Sequence, residues 1–283
     1  MDPSRPAPPR LTEALPDLAA WSAHFLAAPL PVLDDTALRL EELRAAEDTV
    51  DAHRIAEAVA HDPLMTLKLL AHVAGVRSAR RSGDPQTLTS ALVLLGIGPF
   101  FRAFGPQPSA AAHLAAEPRA LRGFEAVLRR AHRAAAFALG FAVHRMDPDA
   151  AVLHVAALLH DFAELLLWLH APALALRIAR MQRADPALRS AAAQRRVLHI
   201  ELGELQQALL CAWRLPQMLV RIEDDRHADT PQVQNVRLAV RVARHSALGW
   251  DNAALDDDVR DIAALLNLGE TPARTLLRRI DGA

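Results

Sequence analysis

No stretch of this chain alternates apolar and polar residues for the length of a strand, and this constrains its fold more than any other feature. Hydrophobic residues make up 52% of 283 positions, enough for a sizeable core. Aromatic residues supply only 4% and tyrosine is absent. Alanine and leucine carry the apolar mass, a choice that favours helices over sheets. The expected fold class is therefore all-α.

Helix punctuation supports this reading. "PDLAAWSAHFLAA" reads as a short helix. A second begins after Asp34-Asp35-Thr36, and "DAHRIAEAVAH" as a third. Asp62 caps the next helix, Pro63 takes its first turn, and Gly75 is expected to end it. "TLTSALVLLG" closes at Gly96. Residues 105–118 read as a connection. A long helix over about 119–145 follows, and Asp147-Pro148 repeats the cap-plus-proline step. The next helix carries "LHVAALLHDFAELLLWLH", residues 153–170. Further helices are expected near 172–183, 186–197, 200–213, 216–225, 231–248, 256–267 and 271–280.

Composition narrows function. A net charge of −1 offers no electrostatic case for nucleic acid or an anionic membrane. Cys211 is the sole cysteine, so there is no disulfide framework or thiolate cluster, and it reads as a small core residue. The Pro-rich start "MDPSRPAPPRL" lacks the apolar segment of a signal peptide. The apolar run near 150–170 is interrupted by His154, His160, Asp161 and Glu164, against a bilayer span. A cytoplasmic location is expected. Neither a phosphate loop nor a nucleophile elbow is present.

Chemistry concentrates at His160-Asp161. Adjacent helical residues point about 100° apart, so one ion could sit between them only if other helices complete the shell. His132 and His144 lie on the preceding helix. The plain alternative is a buried hydrogen-bonded pair, with Asp161 accepting from a helix N-terminus or orienting His132. His24, His53 and His113 read as surface or edge residues, Glu201 and Glu204 as a solvated face, and Trp168, Trp213 and Trp250 as packing residues.

"LLHDFAELLL" resembles the signature of the HD superfamily of metal-dependent phosphohydrolases. The wider pattern resembles its HDOD branch over about residues 26–250: "LPVL", "RIAEAVAHDPLMTLKLLAHVAG", "TLTSALVLLGIGPFFRAF", "RAHRAAAFALGFA" and "CAWRLPQMLVRIEDDRH", with the Trp213–Pro216 step. The resemblance implies a smaller N-terminal lobe (about 26–104) and a larger HD-like lobe (about 119–250). Residues 1–25 would precede the domain, and helices in 251–283 would pack on the HD-like lobe.

Matched to the family's metal pattern, His132, His160 and Asp161 are the residual metal candidates. Val240 falls where the last aspartate would stand, and a valine cannot coordinate a metal. Ala163 replaces a glycine, Leu202 and Arg226-His227 fall where histidines are common, and Val73-Ala74 replaces Asn-Ser. The expectation is a bacterial signalling module without catalysis that binds a partner protein, with a nucleotide as a second candidate ligand. No cofactor is expected, a divalent metal being the one for which donors exist. The alternative is a metal-dependent phosphohydrolase with an altered site, completed by Asp224, Asp225 or His227.

Overall fold

The computed structural model describes residues 10–77, 85, 87–222 and 229–282. Helices α1 (Leu18–Ala27), α2 (Asp34–Ala45), α3 (Ala52–Val59), α4 (Pro63–Arg77), α5 (Leu88–Leu95), α6 (Ile97–Ala103) and α7 (Ala110–Leu114) come first. Then follow α8 (Pro118–His144), α9 (Ala150–Leu159), α10 (Phe162–His170), α11 (Pro172–Ala184), α12 (Ser190–Leu198) and α13 (Leu202–Ala212). The chain continues with α14 (Gln217–Ile222), α15 (Pro231–His245), α16 (Ala254–Leu266) and α17 (Glu270–Asp281). The fold is all-α, and among the described residues the one β feature is a bridge between Val32 and Ser109.

Helices α2 to α6 pack on one another as the smaller lobe. In the larger lobe α8 is the axis, packed by α9, α10, α11, α15 and α17, with α16 behind α15. Helix α8 buries Phe124, Val127, Ala131, Ala134, Phe137, Ala138 and Phe141 along one stripe, the repeat of an amphipathic helix. The small alanines let α9 and α15 approach closely. Helix α1 packs on α13, and the fully buried Trp21 donates its indole N–H to the Leu198 carbonyl at 3.0 Å.

Side-chain caps account for several helix starts. Asp17, Asp51, Ser109 and Thr230 accept from the first-turn amides of α1, α3, α7 and α15. Asp62, fully buried, accepts from the amides of Leu64 and Met65 with one oxygen and Leu33 with the other. It thereby ties "LPVL" to the start of α4. Lys68, the sole lysine, donates to the Leu30 carbonyl at 2.8 Å and to Gln107.

Several expectations are corrected. Gly75 does not end α4, which runs to Arg77; a helical glycine costs only about 1 kcal/mol relative to alanine, too little to stop a helix by itself. Asp34 and Asp35 lie inside the first turn of α2, and Leu33 holds the cap position with no side-chain bond. Residues 105–118 are not a bare connection. Backbone bonds from Val32 N to Pro108 O and from Ala110 N to Val32 O pin the segment, and Ser109 then caps α7. Glu204 is solvent-exposed as expected, and with Glu201 it also forms a capping box at the start of α13. Cys211 is exposed, not a core residue. The apolar stretch 150–170 is two core helices, with 72% of its most apolar window buried inside the protein.

His24 and His113 are also not edge residues. Their rings pack 6.3 and 5.6 Å from the ring of His170, which is 3% exposed. His113 Nε2 donates to the Leu169 carbonyl at 3.1 Å, while the Nε2 atoms of His24 and His170 have no partner among the described residues. Burial pushes His170 down to about 3, helped by His113, His24 and Arg10 and opposed by a bond to Pro29. A histidine with a depressed folded pKa is fully stabilising only above its unfolded value of about 6.5. Stability should therefore fall as pH drops from 6.5 toward 3, with a slope approaching about 1.4 kcal/mol per unit from this residue. Urea melts of wild type and His170→Leu across that range check this, and the variant is expected to show the shallower fall.

Candidate functional site

The helix expected through residues 153–170 breaks at the polar pair. His160 closes α9 with φ −56° and ψ −31°, and Asp161 (φ −109°, ψ 21°) precedes α10. The break turns Asp161 out of the apolar stripe toward α8 and α15. Its side chain makes no cap bond to α10. Instead it accepts from Arg130 Nε of α8 at 2.7 Å and from Arg244 Nη2 of α15 at 2.5 Å, one guanidinium on each oxygen. Arg130 also donates through Nη2 to Glu164 at 2.6 Å.

Asp161 is 7% exposed. Burial opposes its charge, but Arg244 and Arg130, and then His160, hold its carboxyl far below the usual carboxylate range. The same contacts outweigh burial at Arg130 and raise it. The result is a buried ionic brace joining three elements of the larger lobe.

His132, the third metal candidate, does not join Asp161. The two-residue step from Arg130 to His132 carries the helix about 200° around, just over half a turn, so the histidine points to the smaller lobe instead. His132 Nε2 lies 2.6 Å from the His61 carbonyl. A carbonyl can only accept, so this nitrogen carries the hydrogen. His61 also packs against His154, with ring centroids 6.4 Å apart. His132 therefore belongs to the junction between lobes. Among the described residues, no three histidine, cysteine or acidic side chains group as a metal site. Asp224, Asp225, Arg226 and His227 lie outside the described residues.

Beside the brace lies a cleft of about 730 Å³ inside the larger lobe. It lies within that lobe and not between the two lobes. His160, Asp161, Arg130 and Glu164 form its floor, α10 to α13 one wall, and α15 the other. Val240 and Leu202, the positions singled out by the resemblance, both line it. Trp168 also lines it while 6% exposed, and its indole N–H has no hydrogen-bond partner among the described residues.

The arginines were missed by sequence reasoning, which sought metal donors. "NVRLAVRVARH" nevertheless held a signal: Arg237, Arg241 and Arg244 recur at i, i+4 and i+7, on one helical face. Asp258 belongs to the acidic run at the start of α16. It is 1% exposed and lies 2.6 Å from both Arg241 Nε and His245 Nδ1.

A helical axis packed by several other helices, with a His-Asp step at a helix break beside a cleft, defines an HD-like α-fold. The HDOD domain pattern matches residues 30–228, and the chain belongs to the HDOD domain family. A solved structure of the MmoQ response regulator from Methylococcus capsulatus str. Bath is similar, with 22% identity and a TM-score of 0.65 over 89% of this chain and 99% of that one. A virulence factor from Campylobacter jejuni subsp. jejuni matches at 18% identity and a TM-score of 0.62, covering 93% of each chain. At these identities the likeness speaks for the fold. No curated protein matches.

Proposed function

We propose that this chain is a non-catalytic regulatory module of bacterial signalling, acting in the cytoplasm by binding a partner protein. The observation that carries the reading is the Arg130–Asp161–Arg244 brace. A divalent cation needs free carboxylate oxygens and neutral imidazoles in a closed shell. Here both oxygens of Asp161 hold guanidinium groups, His132 is committed to His61, and Val240 offers no ligand. The residues present do not fit the metal of the HD superfamily. Support also comes from the family itself and from the class of one structural neighbour, a response regulator.

The test is elemental mass spectrometry on untagged protein, run beside hydrolysis assays on phosphomonoesters and cyclic dinucleotides. The expected result is metal far below one ion per chain and no turnover. Stoichiometric metal that disappears in Asp161→Ala, with hydrolysis that disappears in His160→Ala, would establish the altered phosphohydrolase instead.

A further inference from the structure

The cleft beside the brace is chemically two-sided. On one side Arg237, Arg241 and Arg244 of α15 form a row about 10 Å long, at 1.5 Å per residue. On the other side, the lining residues of α11, α12 and α13 carry no charge. Ile178 and Leu202 give that wall its apolar surface, and Gln182, Gln194, Gln206 and Gln207 supply amides. A volume of about 730 Å³ is in the range of small-molecule sites, which combine an apolar surface with a few placed polar groups.

The charges facing the cleft are uneven. Arg130, Arg237, Arg241 and Arg244 line it, against the carboxylates of Asp161 and Glu164, with His160 and His245 beside them. Asp258 and Asp261 compensate Arg241 from α16, at 2.6 Å from Nε and 2.5 Å from Nη2. Counting them makes the wider network nearly neutral, so what the cleft offers an anion is hydrogen-bond donors and not long-range attraction. An arginine offers five N–H groups. The acidic contacts engage two nitrogens of Arg241 and one of Arg244, whose side chains remain 38% and 49% exposed. Carboxylates behind an arginine also hold its rotamer, which lowers the ordering cost of binding.

We propose that this cleft binds a small organic phosphate, with its phosphates on the α15 arginine row and a flat polar body against the amide-bearing wall. A single carboxylate would be satisfied by one guanidinium fork, whereas a row of this length suits a ligand with more than one anionic centre. The assignment rests on the non-catalytic reading of the same site, because it takes the ligand as bound and not consumed.

The test is calorimetric titration of the full chain with adenosine diphosphate and, separately, with inorganic pyrophosphate, followed by product analysis of each mixture. Adenosine diphosphate should saturate the protein and bind more tightly than pyrophosphate. Arg237→Gln combined with Arg241→Gln should weaken it at least about tenfold, the equivalent of one lost charge-assisted contact. Arg39→Gln, on the exposed face of α2, should leave it unchanged. Both substitutions spare the brace, but Arg241→Gln removes one partner of the buried Asp258, which keeps His245. Arg237→Gln alone, which leaves that pair intact, is therefore titrated as well and should also weaken binding, and far-ultraviolet circular dichroism checks the fold of each variant. The assignment is overturned if neither probe saturates, if the double variant binds like wild type, or if pyrophosphate binds as tightly as adenosine diphosphate. Hydrolysis of adenosine diphosphate in the same tube would overturn the non-catalytic reading and leave the arginine row standing.

Discussion

Asp161→Ala is expected to destabilise the protein by about 3 kcal/mol, the lower part of the range for removing one partner of a buried ion pair. The low end applies because neither guanidinium is wholly stranded. Arg130, with a side chain 19% exposed, retains Glu164. Arg244 is half exposed and can return to water. The reverse substitutions should rank below it. Arg130→Met leaves Asp161 with one partner and frees Glu164, and Arg244→Met should cost about 1 kcal/mol or less, as exposed pairs do. Urea denaturation of the three variants checks the order Asp161, Arg130, Arg244. An equal effect of Asp161 and Arg244 would show that the brace is not closed as described.

The same contacts predict a pH dependence. The Asp161 carboxyl is held far below its ordinary value of about 3.8. A carboxylate with a depressed folded pKa contributes its full stability above the unfolded value and loses it as pH falls below that value. Asp161→Asn should therefore show a shallower acid limb than wild type below about pH 4. This limb lies below most of the fall expected from His170, so the two residues are separable by variant and by pH.

The second large effect is expected at Gly123 on α8. A Cβ there would lie 2.4 to 2.6 Å from three carbons of the Trp168 six-membered ring. The ring is rigid and 6% exposed, so no terminal rotamer change relieves the contact. Gly123→Ala should cost about 2–3 kcal/mol, at the upper end for overpacking, even after the gain of about 1 kcal/mol for alanine in a helix. Gly140→Ala is the internal control. Its Cβ would meet Ile280 Cδ1 at 2.4 Å, the free end of a flexible side chain, so the helix gain should nearly offset the shift. Thermal melts compare the two. Because Trp168 lines the cleft, Gly123→Ala should also weaken any ligand held there.

Much of this fold was legible because helices are local. The long helix over about 119–145 and the start of α4 at Asp62-Pro63 are read from residue type and position, and α8 and α4 run from Pro118 and Pro63. The break at His160-Asp161 was not legible. The apolar residues on both sides, Val155 to Leu159 and Phe162 to Leu169 apart from Glu164, read as one continuous helix, and only the tertiary structure shows the turn that brings the Asp161 carboxylate to Arg130 and Arg244. Leu202 and Val240 were placed by family resemblance, and both line the cleft.

The candidate site was half visible. Its centre, His160-Asp161, stands out in any reading, since an acid in an apolar run needs a partner. The identity of the partner depends on which faces of α8 and α15 meet it. His132 and Arg130 are two residues apart on α8, about 200° around the helix, so they serve different neighbours: His132 the smaller lobe, Arg130 the acid. Likewise Asp258 sits in an acidic run that suits a helix start, and only the packing of α16 on α15 buries it against Arg241 and His245.

The amino-acid sequence by itself determined the all-α class, most helix starts and the family, because these depend on residue type and spacing along one chain. The tertiary structure alone decided what Asp161 holds. Opposite charges find each other through space, and the low-dielectric interior makes the nearest cation decisive. Two guanidinium groups from helices 31 and 83 residues away therefore occupy the carboxylate that the sequence pattern offered to a metal.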